Sequence, residues 1–195
     1  MKIVHYPHPS LRHRAVPLTA IDKKVRLAAG EMLEMMYASK GLGLAAPQVA
    51  LPYQMFVMNA FQDNEGLHRE KEAVLINPVI MEKKGSIEGD EGCLSFPELY
   101  LKVRRAKTVQ VHAYTLEGQA IEINSTQDLE SRLLQHEWDH LQGGLFIDKI
   151  GPIGKLAARG YLREFERLYR KAQEKGEIAA NPEIVDLLKK LELEA

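Results

Sequence analysis

The chain has one cysteine, one tryptophan and no long uninterrupted apolar run in its 195 residues. A single cysteine, Cys93, excludes an intramolecular disulfide and suits an intracellular, reducing setting. Without a stretch of about 20 apolar residues there is no candidate membrane span. The opening Met1-Lys2-Ile3-Val4-His5-Tyr6-Pro7 lacks both the apolar core of a secretory signal and the Arg/Ser bias of a transit peptide, so a cytoplasmic location is expected. Nor does charge of one sign dominate: 26 Lys and Arg against 27 Asp and Glu leave a formal net charge of −1. Any contact with nucleic acid or an anionic membrane would therefore have to be local, and no direct nucleic-acid specificity is expected. What is present is 45% hydrophobic residues, enough for one domain with a sizeable core.

The most informative segment is Gln135-His136-Glu137-Trp138-Asp139-His140. Two imidazoles four positions apart fall on one helical face and can grip one metal ion, with the Glu137 carboxylate beside them. Such an ion lowers the pKa of bound water from about 15.7 to roughly 7, and a neighbouring Glu can take the remaining proton. The chemistry suggested is hydrolysis of an amide-like bond. Leu129, Leu133, Trp138 and Leu141 supply an apolar side for this helix, Gly143-Gly144 a stop, and Trp138 is expected to face the core.

Ile21, Val25, Ala28, Ala29, Met32, Leu33 and Met36 mark an earlier helix ending near Ser39-Lys40-Gly41, its methionines reading as core filler. Gln54 to Asn59, Ala73 to Met81, Lys107 to Tyr114 and Ala120 to Ile123 read as strands. Phe61 to Glu72 is polar and reads as a mobile surface loop. Beyond Gly151-Pro152, Leu156, Tyr161, Leu162, Phe165, Leu168, Tyr169 and Ala172 mark a long amphipathic helix with Lys155, Arg159, Arg163, Arg167, Arg170 and Lys171 among its polar positions. Asn181-Pro182-Glu183 reads as the N-cap of a short final helix through Leu191.

Two histidines do not complete a hydrolytic centre, which usually takes three protein ligands and leaves a position for water. Cys93, in Gly89-Asp90-Glu91-Gly92-Cys93-Leu94-Ser95, is the candidate third ligand; by spacing alone it reads equally well as a small buried apolar residue. Gly41-Leu42-Gly43-Leu44-Ala45-Ala46-Pro47-Gln48, taken alone, reads as a loop between helix and strand and lacks a phosphate-binding fingerprint.

Together these three segments resemble the peptide deformylase family, which carries Gly-x-Gly-x-Ala-Ala-x-Gln, Glu-Gly-Cys-Leu-Ser and Gln-His-Glu-x-Asp-His in this order. They are matched at Gly41 to Gln48, Glu91 to Ser95 and Gln135 to His140, and Tyr6 to Arg12 also resembles the family's opening segment. The resemblance, closest to the bacterial-type enzymes and covering about residues 3–150, implies an α+β fold: mixed or antiparallel β-sheets packed around a central metal-binding helix, with an additional C-terminal helix. Residues 1–150 would be the catalytic domain and 151–195 a helical extension of it. Cys93, His136 and His140 would bind Fe2+, with Zn2+, Ni2+ or Co2+ as possible substitutes. Glu137 would be general base and then acid, and Gln48 and the Leu94 N–H would steady the oxyanion. The substrates would be N-formyl-methionyl nascent polypeptides, losing formate. A peptide would add beside Leu42, Gly43, Leu44 and Gly89, with Leu129, Arg132 and Leu133 lining a methionine pocket and the Arg132 head reaching its rim. Glu91 would pair with Arg105 as a structural unit. Some members dock on ribosomes through the added helix; here Glu164, Glu166 and Glu174 dilute its basic side, and a solvated face is the better reading on general grounds, with ribosome contact as the alternative. The rivals are a zinc peptidase of the His-Glu-x-x-His type, which normally lacks a cysteine ligand, and a structural or metal-sensing site with no open position.

Overall fold

The computed structural model describes residues 1–63 and 66–195. Helix α1, Lys23–Ala38, starts at Asp22, whose carboxylate accepts from the Val25 N–H at 2.9 Å and so satisfies a donor that the first turn leaves free. It buries Val25, Ala29, Met32 and Met36, each long side chain contributing about 1.5–3 kcal/mol on removal from water. Strands β1 (Gly43–Ala45), β2 (Met55–Met58), β5 (Ala73–Lys84), β8 (Thr108–Tyr114) and β9 (Ala120–Ser125) form an antiparallel sheet in the order β1-β2-β5-β8-β9. Of the polar stretch Phe61 to Glu72, residues 64 and 65 lie outside the described residues; the rest contains a short ladder, β3 (Gln62–Asp63) with β4 (Gly66–Leu67), and a 3-10 turn at Arg69–Lys71.

Strands β6 (Ile87–Cys93) and β7 (Phe96–Arg105) pair as a separate antiparallel hairpin that the strand reading did not include. Helix α2, Asp128–Leu141, packs between this hairpin and the large sheet, against β1, β2, β8 and β9. It buries Leu134 and Leu141 in the core together with the polar Ser131, Gln135, His136, Glu137, Asp139 and His140. Trp138 does not enter the core: it is only partly buried, and Lys83 Nζ lies 5.0 Å from its ring. The inward positions of α2 are taken by the histidines and acids, so the indole is left on the outer face with a cation over it.

Helix α3, Pro152–Glu174, sets Ala158, Leu162 and Phe165 against a cluster containing Phe96, Leu101 and Phe146. Its apolar stripe is only partly used, since Leu156 is 72% exposed and Ile153 87%. Helix α4, Asn181–Glu192, buries Ile184 and Leu188. Ala180, not Asn181, is its N-cap; the Asn181 Oδ1 accepts instead from Tyr169 OH at 2.8 Å and Gln173 Nε2 at 2.9 Å, clasping α4 to α3.

Candidate metal centre and active-site cleft

Helix periodicity brings His136 and His140 to one face of α2, with ring centroids 5.1 Å apart. Cys93 closes the group from the last position of β6, its Sγ 3.3 Å from His140 Nε2. One ligand atom from each of Cys93, His136 and His140 lies within 4.8 Å of the others. The donor set fits a divalent cation: a soft sulfur and two imidazole nitrogens converge, and the second nitrogen of His136, Nδ1, is held 3.0 Å from Glu91 Oε2, an outer partner of the kind that fixes a ligand ring. His140 Nδ1 is buried without a hydrogen-bond partner.

Behind the ligands runs a buried ionic network. Arg105 donates from Nε and Nη2 to the two oxygens of Glu91, each at 2.8 Å, and from Nη1 to Asp139. Lys149 Nζ stands 3.3 Å from the other Asp139 oxygen. Burial alone raises a carboxyl's pKa, yet the hydrogen bonds from Arg105 and His136 hold Glu91 down at about 2. His136 is affected in the opposite sense: burial opposes its charge, and the bonds to Cys93 and Glu91 overcome this, up to about 10. Burial, with the charge of His136 beside it, pushes His140 well below its ordinary value.

In front of the ligands Glu137 stands almost alone. Burial pushes its carboxyl up to about 7 against the pull of His136 and Arg105, and its Oε2 has no hydrogen-bond partner. Its place depends on a missing side chain, because a Cβ on Gly43 would run into the carboxylate. Gly41 is constrained in the same way by the Leu94 side chain. Gln48, 1% exposed in the 3-10 turn Ala46–Val49, has its Oε1 fixed by the Ala45 N–H at 2.7 Å, which turns Nε2 toward Cys93 Sγ at 3.4 Å and Ser95 Oγ at 3.3 Å.

A cleft of about 860 Å³ opens over this group, and Leu42, Gly43, Leu94, Leu129, Arg132 and Leu133 are among the residues lining it. Strand β1 is an edge strand. Because the Asn59 N–H donates to Leu42 O and Gly43 lies opposite Met58, the alternation of the ladder turns the Gly43 N–H and C=O to the open side. Two positions expected at the peptide site are placed elsewhere. Leu44 is fully buried among the core residues around α1, on the sheet's inner side. Gly89 is absent from the cleft wall because the Arg132 guanidinium lies over it and donates to Asp90 O. Arg132 thus folds back onto the hairpin, its side chain 18% exposed.

Two residues are matched by the motif without a role being read from it. Asp139 completes the Arg105 network, and its place three positions after His136 hinted at an inward side chain. Gln135 accepts from the Ala106 N–H and donates to Ala106 O, at 3.0 and 2.9 Å, binding the end of β7 to α2. Such contacts between distant segments leave no spacing signal.

Comparison with known proteins identifies the family and the fold. The profile of the polypeptide deformylase family matches residues 1–156. A peptide deformylase of Rhodopirellula baltica is 44% identical over 181 residues, covering 92% of this chain and 87% of that protein. One of Nitrosococcus oceani is 42% identical, covering 86% and 97%. The solved peptide deformylase of Plasmodium falciparum superposes with a TM-score of 0.82 at 39% identity, over 87% of this chain and 98% of its own. The chain belongs to the polypeptide deformylase family, metal-dependent hydrolases that remove the formyl group from N-formyl-methionyl peptides.

Proposed function

We propose that this chain performs that reaction with Cys93, His136 and His140 as metal ligands, Glu137 as proton carrier, and Gln48 with the Leu94 N–H as oxyanion donors. The observation that carries the reading is the convergence of three ligand atoms within 4.8 Å beside a buried, unpartnered carboxylate oxygen. Ferrous iron is the proposed occupant, by resemblance, with zinc, nickel or cobalt as possible substitutes. A bound divalent cation supplies a water of lowered pKa and a Lewis acid.

The chain's own residues do the rest. Glu137, uncommitted to any cation, takes a proton from the attacking water and returns it to the departing amine. Gln48 cannot swing its carbonyl into the cleft while Ala45 holds it, so the oxygen that gains charge meets an N–H donor. Leu94, directly after a ligand, offers its N–H from the opposite loop. The outward N–H and C=O of Gly43, beside Leu42, suit an extended peptide added as a further strand, which binds backbone without demanding particular distal side chains. Leu129, Leu133 and the Arg132 stem wall the site for the first side chain. Glu91 and Arg105 hold His136.

Residues 1–150 are proposed as the catalytic domain and 151–195 as its helical extension, supported by the packing of Ala158, Leu162 and Phe165 on the cluster around Phe96. The proposed location is cytoplasmic: among the described residues no helix is long and apolar enough to cross a membrane, and the one cysteine suits a reducing compartment. Lys155, Arg159 and Arg163 on α3 support a contact with the polyanionic ribosome surface.

The test is formate release from a formyl-methionyl tripeptide by anaerobic, iron-loaded protein beside a Glu137→Gln variant of matched metal content. Rapid release, reduced at least a hundredfold in the variant, is the expected outcome. Absence of release from the fully metallated protein would overturn the reading.

A further inference from the structure

The first eleven residues take no part in the chemistry above, yet three of their polar groups bond to the two loops that meet behind the cleft. The Val4 N–H donates to Gln48 O at 2.8 Å, and the Tyr6 N–H to Ser95 O at 3.0 Å. Ser10, 1% exposed, donates from Oγ to Pro47 O at 2.8 Å. The carbonyls on both sides of the Pro47–Gln48 junction are therefore held by one segment, which also holds the loop containing Cys93, Leu94 and Ser95. Gln48 Nε2 and Ser95 Oγ meet at 3.3 Å where those loops touch.

Ser10 is enclosed from the other side as well. Its hydroxyl proton goes to Pro47 O. His8 Nδ1 accepts from the Ser10 backbone N–H at 3.3 Å and lies 2.8 Å from Ser10 Oγ, so the imidazole caps the turn that carries Ser10. The run His8, Ser10, Pro47 O ends one peptide from the amide that faces the metal ligands.

We propose that Ser10 is a positioning residue for the oxyanion donors: its hydroxyl fixes the Pro47–Gln48 backbone, while Tyr6 fixes the Ser95 end, so that the Gln48 amide and the Leu94 N–H are held in register. This rests on the reading of Gln48 as an oxyanion donor. A preorganised donor is effective only while its position is fixed before charge develops, and small displacements of such groups are costly. Of the three tethers, only Ser10 uses a side chain, and it is the one that substitution can remove.

The experiment measures kcat and KM on a formyl-methionyl peptide, at matched metal content, for Ser10→Ala, Ser10→Thr, Gln48→Ala and the double variant Ser10→Ala/Gln48→Ala. Gln48→Ala is expected to cost about a hundredfold in kcat. Ser10→Ala should cost about tenfold with KM within twofold, and Ser10→Thr, which keeps the hydroxyl, should recover most of it. Once Gln48 is gone, Ser10→Ala should cost less than twofold more. A full tenfold loss in the Gln48→Ala background, or unchanged kcat in Ser10→Ala while Gln48→Ala is slow, would overturn the proposal. If Gln48→Ala is itself as fast as the wild type, the reading of Gln48 fails, and the proposal with it. Should Ser10→Ala not fold, Ser10→Cys, nearly isosteric with a weaker donor, makes the same comparison.

Discussion

The two ends of the chain lie side by side, α4 packed against the turn Pro9–Arg12, and they are used differently. Residues 4–16 thread inward: Leu11 is fully buried, the Ala15 N–H donates to Leu141 O at the end of α2, and Val16 bridges to Tyr53. The C-terminal helices wrap the outside. Their polar contacts reach the same N-terminal segment from its outer face, as in His13 to Glu192 at 2.6 Å and Thr19 Oγ1 to Ala195 O at 2.7 Å. Toward the cleft, α3 presents Phe165, edge-on to the cleft-lining Phe96. Proximity to a site and coupling to it are thus separate properties: one end touches the backbone that carries the donors, and the other touches only what surrounds it.

A matched pair of substitutions would break or sharpen this contrast. Leu11→Ala and Leu188→Ala each empty a buried leucine position, 0% and 1% exposed, and each should cost about 2–5 kcal/mol in stability by chemical denaturation. Only Leu11→Ala should also lower kcat, severalfold, at a temperature where both variants are folded. Equal kcat losses would mean that the two ends act alike.

A smaller effect concerns acid. Burial, with Lys2 nearby, pushes His8 down to about 4. The unfolded chain binds this proton near pH 6.5 and the folded one near 4, so the stability associated with neutral His8 is complete above 6.5 and is lost as pH falls through that window. The shift corresponds to about 3 kcal/mol, reduced to roughly 2 by residual solvent contact. Unfolding free energies at pH 7 and 4 should therefore differ by about 2 kcal/mol more in the wild type than in His8→Gln. An identical pH dependence would count against the burial of a neutral imidazole at this end.

The smallest effect on stability belongs to the outer face of α3. Changing Lys155, Arg159 and Arg163 to Glu should leave stability within about 1 kcal/mol and kcat unchanged, because these side chains are exposed. Co-sedimentation with ribosomes should be lost, and undiminished co-sedimentation would remove α3 as the contact.

Much of this was legible where a periodic pattern met an apolar face. Met32 and Met36 fill the core from α1, and β8 alternates Val109, Val111 and Ala113 inward. Helical spacing also put His136 and His140 on one face of α2, whereas Cys93 as the third member came from the family resemblance. β7 has the same alternation, Leu99, Leu101 and Val103 buried against Tyr100, Lys102 and Arg104 outside, but its partner β6 is polar and glycine-rich and reads as a turn. The buried ions were harder. Arg105 was expected only through the family resemblance, as the partner of Glu91; Asp139 looks like a surface residue until Arg105 supplies its counter-charge, and Trp138 loses its inward place to the polar residues of α2. The tethers from Val4 and Tyr6 are backbone donors, which every residue but proline possesses, so composition cannot single them out.

The distances along the chain between partners at the site have a kinetic meaning. Gln48 and Cys93 are 45 positions apart, Cys93 and His140 47, and Ser10 and Pro47 37. None of these three pairs meets through local folding, so the loop-closure entropy of each must be met before its contact is made. A chain under synthesis has no partial centre to offer until α2 has been made and has closed on the hairpin. Activity should then rise in one step with completion of the fold, and the rate of formate release could serve as a clock for the last long-range contact to form.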